Sequence, residues 1–253
     1  MLWAISRYNT MTRKIKTFGL LLFITAGQIV YGQTTFKYQK NFKTILEKTK
    51  DPNDQLAYEK LLKRFTSNDT SLTDFEVLAL LIGFTDKPEY KPYNYLSKER
   101  EIYKLNGEGK FQEALDSANV FLQKHPVSQQ AIIEKSYSYY KLDNKDSADF
   151  YRYQFRRIMQ AMDFSGDGKD NPIFALGPAD GQNYIQKYLA AKVGLMGSGR
   201  DKNGNFLGML EAIYKDSTSE KLYFIIQHAT NKMFSEEELK MFDRKDKKKK
   251  KNK

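Results

Sequence analysis

Gly109–Pro126, GKFQEALDSANVFLQKHP, is answered further along the chain by Asp143–Ile158, DNKDSADFYRYQFRRI, and the two stretches place Ala114 and Ala148 34 residues apart. Recurrence at such a period marks a helix pair repeated along the chain. A small alanine at this point lets the second helix of each unit press against the first. Pro126 then stops one helix, and the Ser128 hydroxyl can accept a backbone N–H at the start of the next. The pattern predicts helices over Lys98–Asn106, Lys110–Lys124, Ser128–Leu142 and Asp146–Met162, which make about two helical hairpins.

The first copy resembles the tetratricopeptide motif at Gly109, Phe111, Glu113, Ala114 and Pro126. The second matches at Ala131, Tyr139 and Ala148, but Lys145 stands where an aromatic belongs and no proline follows. So few units cannot bury their own faces, so helices before them must cap the stack. Those helices are legible. Ile45, Leu46, Leu56, Leu61, Leu62 and Phe65 recur at helix-face spacing, with a turn at Asp51-Pro52. Next, SLTDFEVLALLIGF carries Phe75, Val77, Leu78, Leu80 and Leu81, too apolar for a surface helix, with Thr73 as its N-cap.

Between the two helical regions lies Thr85–Leu96, TDKPEYKPYNYL. Its prolines favour extended backbone, so it reads as a fixed linker. Tyr90, Tyr93 and Tyr95 either form an aromatic recognition platform or seal the helix layer with their hydroxyls in water. After Met162 the pattern changes. Asn171–Leu176 reads as a short strand, DGQNYIQKYLAAKVG as a helix with Tyr184, Ile185, Tyr188 and Leu189 on one face, and residues 206–230 as a hairpin turning at Asp216–Ser219. Ser235 and Glu238 have the spacing of a capping box before a helix over Glu236–Phe242. The fold class is therefore α+β: N-terminal helical hairpins, then a small antiparallel sheet with one or two helices.

The ends of the chain differ from its body. Arg13, Lys14 and Lys16 precede the apolar run Phe18–Val30, and Val30-Tyr31-Gly32 offers a signal-peptidase site. The run is shorter than the roughly 20 residues of a membrane-spanning helix. It reads as an export signal over 1–32, cleaved near Gly32, which places the protein in the periplasm or outside the cell without a transmembrane anchor. Residues 33–162 are then the helical region, 163–243 a small α+β region packed on it, and 244–253 a disordered basic tail. The net charge of +11 resides wholly in the two ends, since residues 33–243 balance. A neutral body argues against nucleic acid, which needs a basic face on the folded domain. The chain has no cysteine, which excludes disulfides, thiolate metal sites and a cysteine nucleophile.

Candidate chemistry is sparse. In Asp163–Phe174, DFSGDGKDNPIF, the oxygens of Asp163, Ser165 and Asp167 followed by Gly168 fit the start of a calcium loop. Position 12 is Phe174 where a bidentate glutamate is needed, and Asp170 takes an apolar position. The stretch is either a turn or a weak calcium site completed by Asp170 or Asn171. DKNGN, Asp201–Asn205, reads as a turn, and GLMGSGR, Gly194–Arg200, as a flexible connection. Of the two histidines, His125 sits at a helix C-terminus and His228 in the YFIIQHA strand. No G-x-S-x-G, H-E-x-x-H or phosphate-loop pattern occurs.

YEKLLKRFTSNDTSLTDFEVLALLIGF, YKPYNYL, GDGKDNPIFALGPADGQNYIQKYL and KLYFII, in that order, resemble an exported Bacteroidota family described only as a domain of unknown function. The likeness runs over roughly residues 55–230, with YKPY and GDGK its most specific pieces. It implies an envelope or secreted location and supplies no catalytic residues. The expectation is an exported binding or scaffolding module, not an enzyme, without a cofactor. It engages a protein or peptide of the cell envelope through Tyr90, Tyr93, Tyr95, Tyr137 and Tyr140. The alternative is a periplasmic enzyme or calcium module on Asp163, Ser165, Asp167 and Asp170, with His228.

Overall fold

A computed structural model of the chain describes residues 36–233. The export segment expected over 1–32, the helix expected over Glu236–Phe242 and the basic tail lie outside the described residues. The chain forms α1 (Tyr38–Lys50), α2 (Tyr58–Thr66) and α3 (Asp74–Phe84), then α4 (Leu96–Gly107), α5 (Phe111–Lys124), α6 (Gln129–Lys141) and α7 (Lys145–Ser165). There follow β1 (Ile173–Phe174), α8 (Asp180–Asn183) running into a π-helical turn (Tyr184–Tyr188), β2 (Lys192–Arg200), β3 (Phe206–Ile213), β4 (Ser219–Ile225) and α9 (Gln227–Met233). This is the α+β arrangement expected.

Helix α3 is the centre of the helical part. Val77 through Phe84 are all buried, since α1, α2 and α7 pack around it. Burying each of its leucines and its isoleucine contributes about 1.5–3 kcal/mol. Its entry is set by a capping box: the Glu76 N–H donates to Thr73 Oγ1 (3.2 Å), and the Thr73 N–H donates to Glu76 Oε2 (2.7 Å). The downstream helices stack in chain order, α4 on α5, α5 on α6 and α6 on α7. Ser128 caps α6 through the Ala131 N–H, and Ala114, Ala131 and Ala148 are wholly enclosed where helices meet. Helix α7 continues through Met162 to Ser165, and its Phe155, Ile158, Met159 and Met162 join one core with α3 and the sheet.

The sheet order is β1-β4-β3-β2. Strands β3 and β4 form the expected antiparallel hairpin and β2 joins β3 antiparallel, while β1 adds to β4 in parallel, pairing Ile173 with Phe224 and Phe174 with Ile225. The hairpin turn falls over Tyr214–Thr218, with Ser217 at φ 67°.

Three local expectations are corrected. The helix expected through Gly194 ends with the π turn at Tyr188, and Ala190 in the left-handed region (φ 53°) redirects the chain. Gly194–Arg200 is not a flexible connection but most of β2, paired with β3 from Lys192↔Ile213 to Arg200↔Phe206. A strand exposed along most of its length shows no inside–outside alternation, and Gly194, Gly197 and Gly199 carry no side chain to alternate. His228 lies on α9, beyond the end of β4, because Ile225 is the last residue paired to β3.

Candidate functional site

Helices α4 and α6 run side by side, tied by Asn106, whose amide donates to the Glu134 carbonyl (3.0 Å) and accepts from Ser138 Oγ (2.8 Å). Between them, with α7 and the π turn, opens a groove of about 520 Å³, a size suited to a ligand or peptide side chains. Tyr103 and Gly107 come from α4, Ile133, Glu134, Tyr137 and Tyr140 from α6, Arg152 from α7 and Lys187 from the π turn. Gly107 leaves open space where a side chain would stand.

The floor is polar and internally satisfied. Glu134, only 4% exposed, accepts at Oε1 from Lys187 Nζ (2.7 Å) and Gln130 Nε2 (2.9 Å), and at Oε2 from Asn106 Nδ2 (2.9 Å). A buried carboxylate needs such compensation for lost hydration. The walls are aromatic and open: Tyr103 is 59% exposed, Tyr140 54% and Tyr137 43%. Lys187 stands 5.7 Å from the centre of the Tyr103 ring and Lys141 5.7 Å from that of Tyr137, so cations flank the phenols.

The other tyrosines of interest sit elsewhere and differently. Tyr90 is buried against Phe84, and its hydroxyl donates to the Leu176 carbonyl, so the linker is stitched to the segment after β1. That hydroxyl is not left in water. Tyr93 is half-buried on the same core. Tyr95, also half-buried, lies over His125 (4.6 Å) and edge-on to Phe121 (5.7 Å). His125 stacks on Phe121 instead of holding the last helix carbonyls with its ring, and burial pushes its basicity down. Of the five expected residues, the groove gathers Tyr137 and Tyr140 alone.

Beneath the linker lies a set of enclosed titratable groups. Burial lifts the Glu99 carboxyl to about 7 against a Ser128 hydroxyl bond (2.6 Å) that holds it down, and the nearby Asp180 lifts it further. Asp180 keeps some exposed surface as a residue, but its carboxyl faces inward and accepts the Gly177 N–H (2.8 Å). Burial raises it to about 6. His228 is stacked on Phe174 at 4.5 Å, with Phe42, Tyr38 and Tyr90 around it, and burial drives it down to about 3. Its Nε2 lies 2.9 Å from the Ala175 carbonyl, so that nitrogen carries the proton of the neutral ring. None of these groups lines the groove.

The DFSGDGKD stretch spends its oxygens on the turn. Asp163 Oδ1 accepts the Tyr184 hydroxyl (2.7 Å). Ser165 Oγ donates to the Met162 carbonyl and accepts the Phe174 N–H (2.7 Å). Asp167 Oδ1 accepts the N–H groups of Lys169 and Asn171, and Asp170 is exposed. Among the described residues no three His, Asp or Glu side chains gather as a metal could use. The glycines are there for backbone reasons. A Cβ on Gly166 would meet the Asn171 carbonyl oxygen at 2.3 Å, and Gly168 has φ +72° while pressed on Leu222.

Glu134, Lys187, Tyr103 and Arg152 were not singled out from the sequence. Glu134 and Lys187 are 53 residues apart, and no local pattern announces a pair formed across the fold.

The family described as a domain of unknown function (DUF4919) matches residues 43–175, which includes α4, α6 and α7 of the groove but stops short of Lys187. No curated protein and no solved structure gives a match.

Proposed function

We propose that this chain, which belongs to the DUF4919 family, is an exported binding or scaffolding protein that engages a protein or peptide segment in the groove between α4, α6, α7 and the π turn. The observation that carries the reading is the trio Tyr103, Tyr137 and Tyr140, exposed around a cleft whose charged floor already satisfies itself. Exposed aromatic rings on a rigid helical frame supply contact area at little entropic cost, as recognition surfaces require. The floor keeps the frame in place without needing the ligand.

Two further features support the proposal. Ala114 and Ala148, one tetratricopeptide period apart, are both enclosed between stacked helices, in keeping with a tetratricopeptide-like stack, an architecture that presents grooves to extended partners. The basic and apolar segment within residues 1–32 supports export to the envelope, and no helix among the described residues is long and apolar enough to cross a membrane.

A random-peptide display selection tests the reading. Selected peptides are expected to bind the protein and to lose binding to a Tyr137→Ser, Tyr140→Ser double variant whose thermal melting is unchanged. Peptides that bind the double variant equally well, or no enrichment at all, would sink it.

A further inference from the structure

We propose that the groove selects an extended, acidic peptide segment in which proline or other flat apolar side chains alternate with carboxylates. The inference deepens the peptide-binding reading and rests on it. Its basis is an imbalance between donors and acceptors left over once the groove has satisfied itself.

The carboxylate and amide oxygens are consumed. Glu134 is the one carboxylate among the lining residues, and Lys187, Gln130 and Asn106 already donate to it. The Asn106 amide oxygen accepts from Ser138, and the Ser136 hydroxyl donates away to the Ala148 carbonyl. Asp149, beside the groove, is engaged by Arg152 Nη1 at 2.7 Å.

The donors are not consumed. An ammonium has three N–H groups and a guanidinium five. Lys187 spends one on Glu134, and Arg152 spends one nitrogen on Asp149. The hydroxyls of Tyr103, Tyr137 and Tyr140 carry no hydrogen bond to the described residues, and Lys141 adds a third cation beside Tyr137. A ligand that covers these groups without offering acceptors strands them away from water, which costs about 1–3 kcal/mol each. Glu134 and Asp149 match Lys187 and Arg152, so Lys141 leaves the groove with a net positive charge that a basic ligand opposes. An acidic segment does neither, and flat proline rings laid on exposed phenols use the aromatic walls as other proline-reading grooves do. An extended proline-containing chain also arrives with little conformational entropy to lose.

The test uses three fluorescein-labelled, N-acetylated and C-amidated peptides that alternate proline with glutamate, glutamine or lysine, titrated by fluorescence anisotropy. Blocked ends keep a terminal carboxylate out of the comparison. The glutamate peptide is expected to bind at least about tenfold tighter than the glutamine peptide and to weaken with added salt. Arg152→Gln, which leaves Asp149 in solvent and spares the fold, is expected to weaken the glutamate peptide more than the glutamine peptide and so narrow that gap. Equal or tighter binding of the glutamine or lysine peptide overturns the inference. So does failure of all three when library-selected peptides still depend on Tyr137 and Tyr140, and in both cases the groove survives as a peptide site. If the library also yields nothing, the two readings fall together.

Discussion

Two groups of tyrosines, identical as side chains, have opposite fates in this protein. Tyr90, in the linker between α3 and α4, is 1% exposed and spends its hydroxyl on a carbonyl 86 residues away. Tyr137 and Tyr140, on α6, leave about half of their surface in solvent at the mouth of a groove. The linker looks more like a recognition loop in sequence, with its prolines and three clustered aromatics, yet it is the part committed to the core. A tyrosine cluster therefore reports an amphipathic surface, and what covers that surface decides whether it holds the fold or meets a partner.

The contrast can be broken by experiment, beginning with the largest effect. Tyr90→Ala removes a buried ring and leaves the Leu176 carbonyl without its donor. It is expected to cost about 3–5 kcal/mol in urea melts. A cost no larger than that of a surface substitution would remove the distinction between the two groups.

The enclosed region should also own the pH dependence. His228 stays neutral in the fold down to about 3, whereas the unfolded chain takes up the proton below the ordinary value of 6.5. The stability it contributes is present above 6.5 and lost as pH falls toward 3. His228→Phe is expected to be less stable than the parent at pH 7, because the Ala175 carbonyl loses its donor. It should regain about 3 kcal/mol relative to the parent at pH 4. Glu99 runs the other way. Its folded carboxyl holds a proton up to about 7, so its contribution is present below the ordinary 4.5 and lost as pH rises to 7. Glu99→Gln should match the parent at pH 4 and exceed it by about 2–3 kcal/mol at pH 8. Parallel pH–stability curves for parent and variants would show that these groups are not enclosed as described.

Smaller effects sharpen the comparison. Tyr90→Phe keeps the ring and removes only the donor, and about 1–2 kcal/mol is expected. Tyr137→Ala is expected to change stability by less than about 0.5 kcal/mol while weakening peptide binding, the reverse of the Tyr90 pattern. Melting and anisotropy on the same two variants settle both halves.

Much of the fold was legible because its signals are local. The Thr73 cap, the Ser128 cap and the Asp201–Asn205 turn each depend on residues a turn away, and each stands in the structure. Strand β2 was hidden because an exposed, glycine-rich edge has no alternation to read. The parallel partner of β1 was hidden because a two-residue strand names no neighbour. The groove was half legible. Tyr137 and Tyr140 were expected at a surface, but Glu134 and Lys187 meet only once the π turn is brought against α6.

The amino-acid sequence by itself determined the caps that open the helices at Asp74 and Gln129, that the segment Asp74–Phe84 must be enclosed, and that the body between its charged ends is neutral. Those outcomes follow from backbone capping, apolar content and charge, which act within a few residues or by simple composition. Tertiary structure alone decided which tyrosines are covered, which carboxylates lose water and which cations remain free to donate. Burial is set by chain segments tens of residues apart, and the hydration that each polar group loses depends on who arrives to replace it.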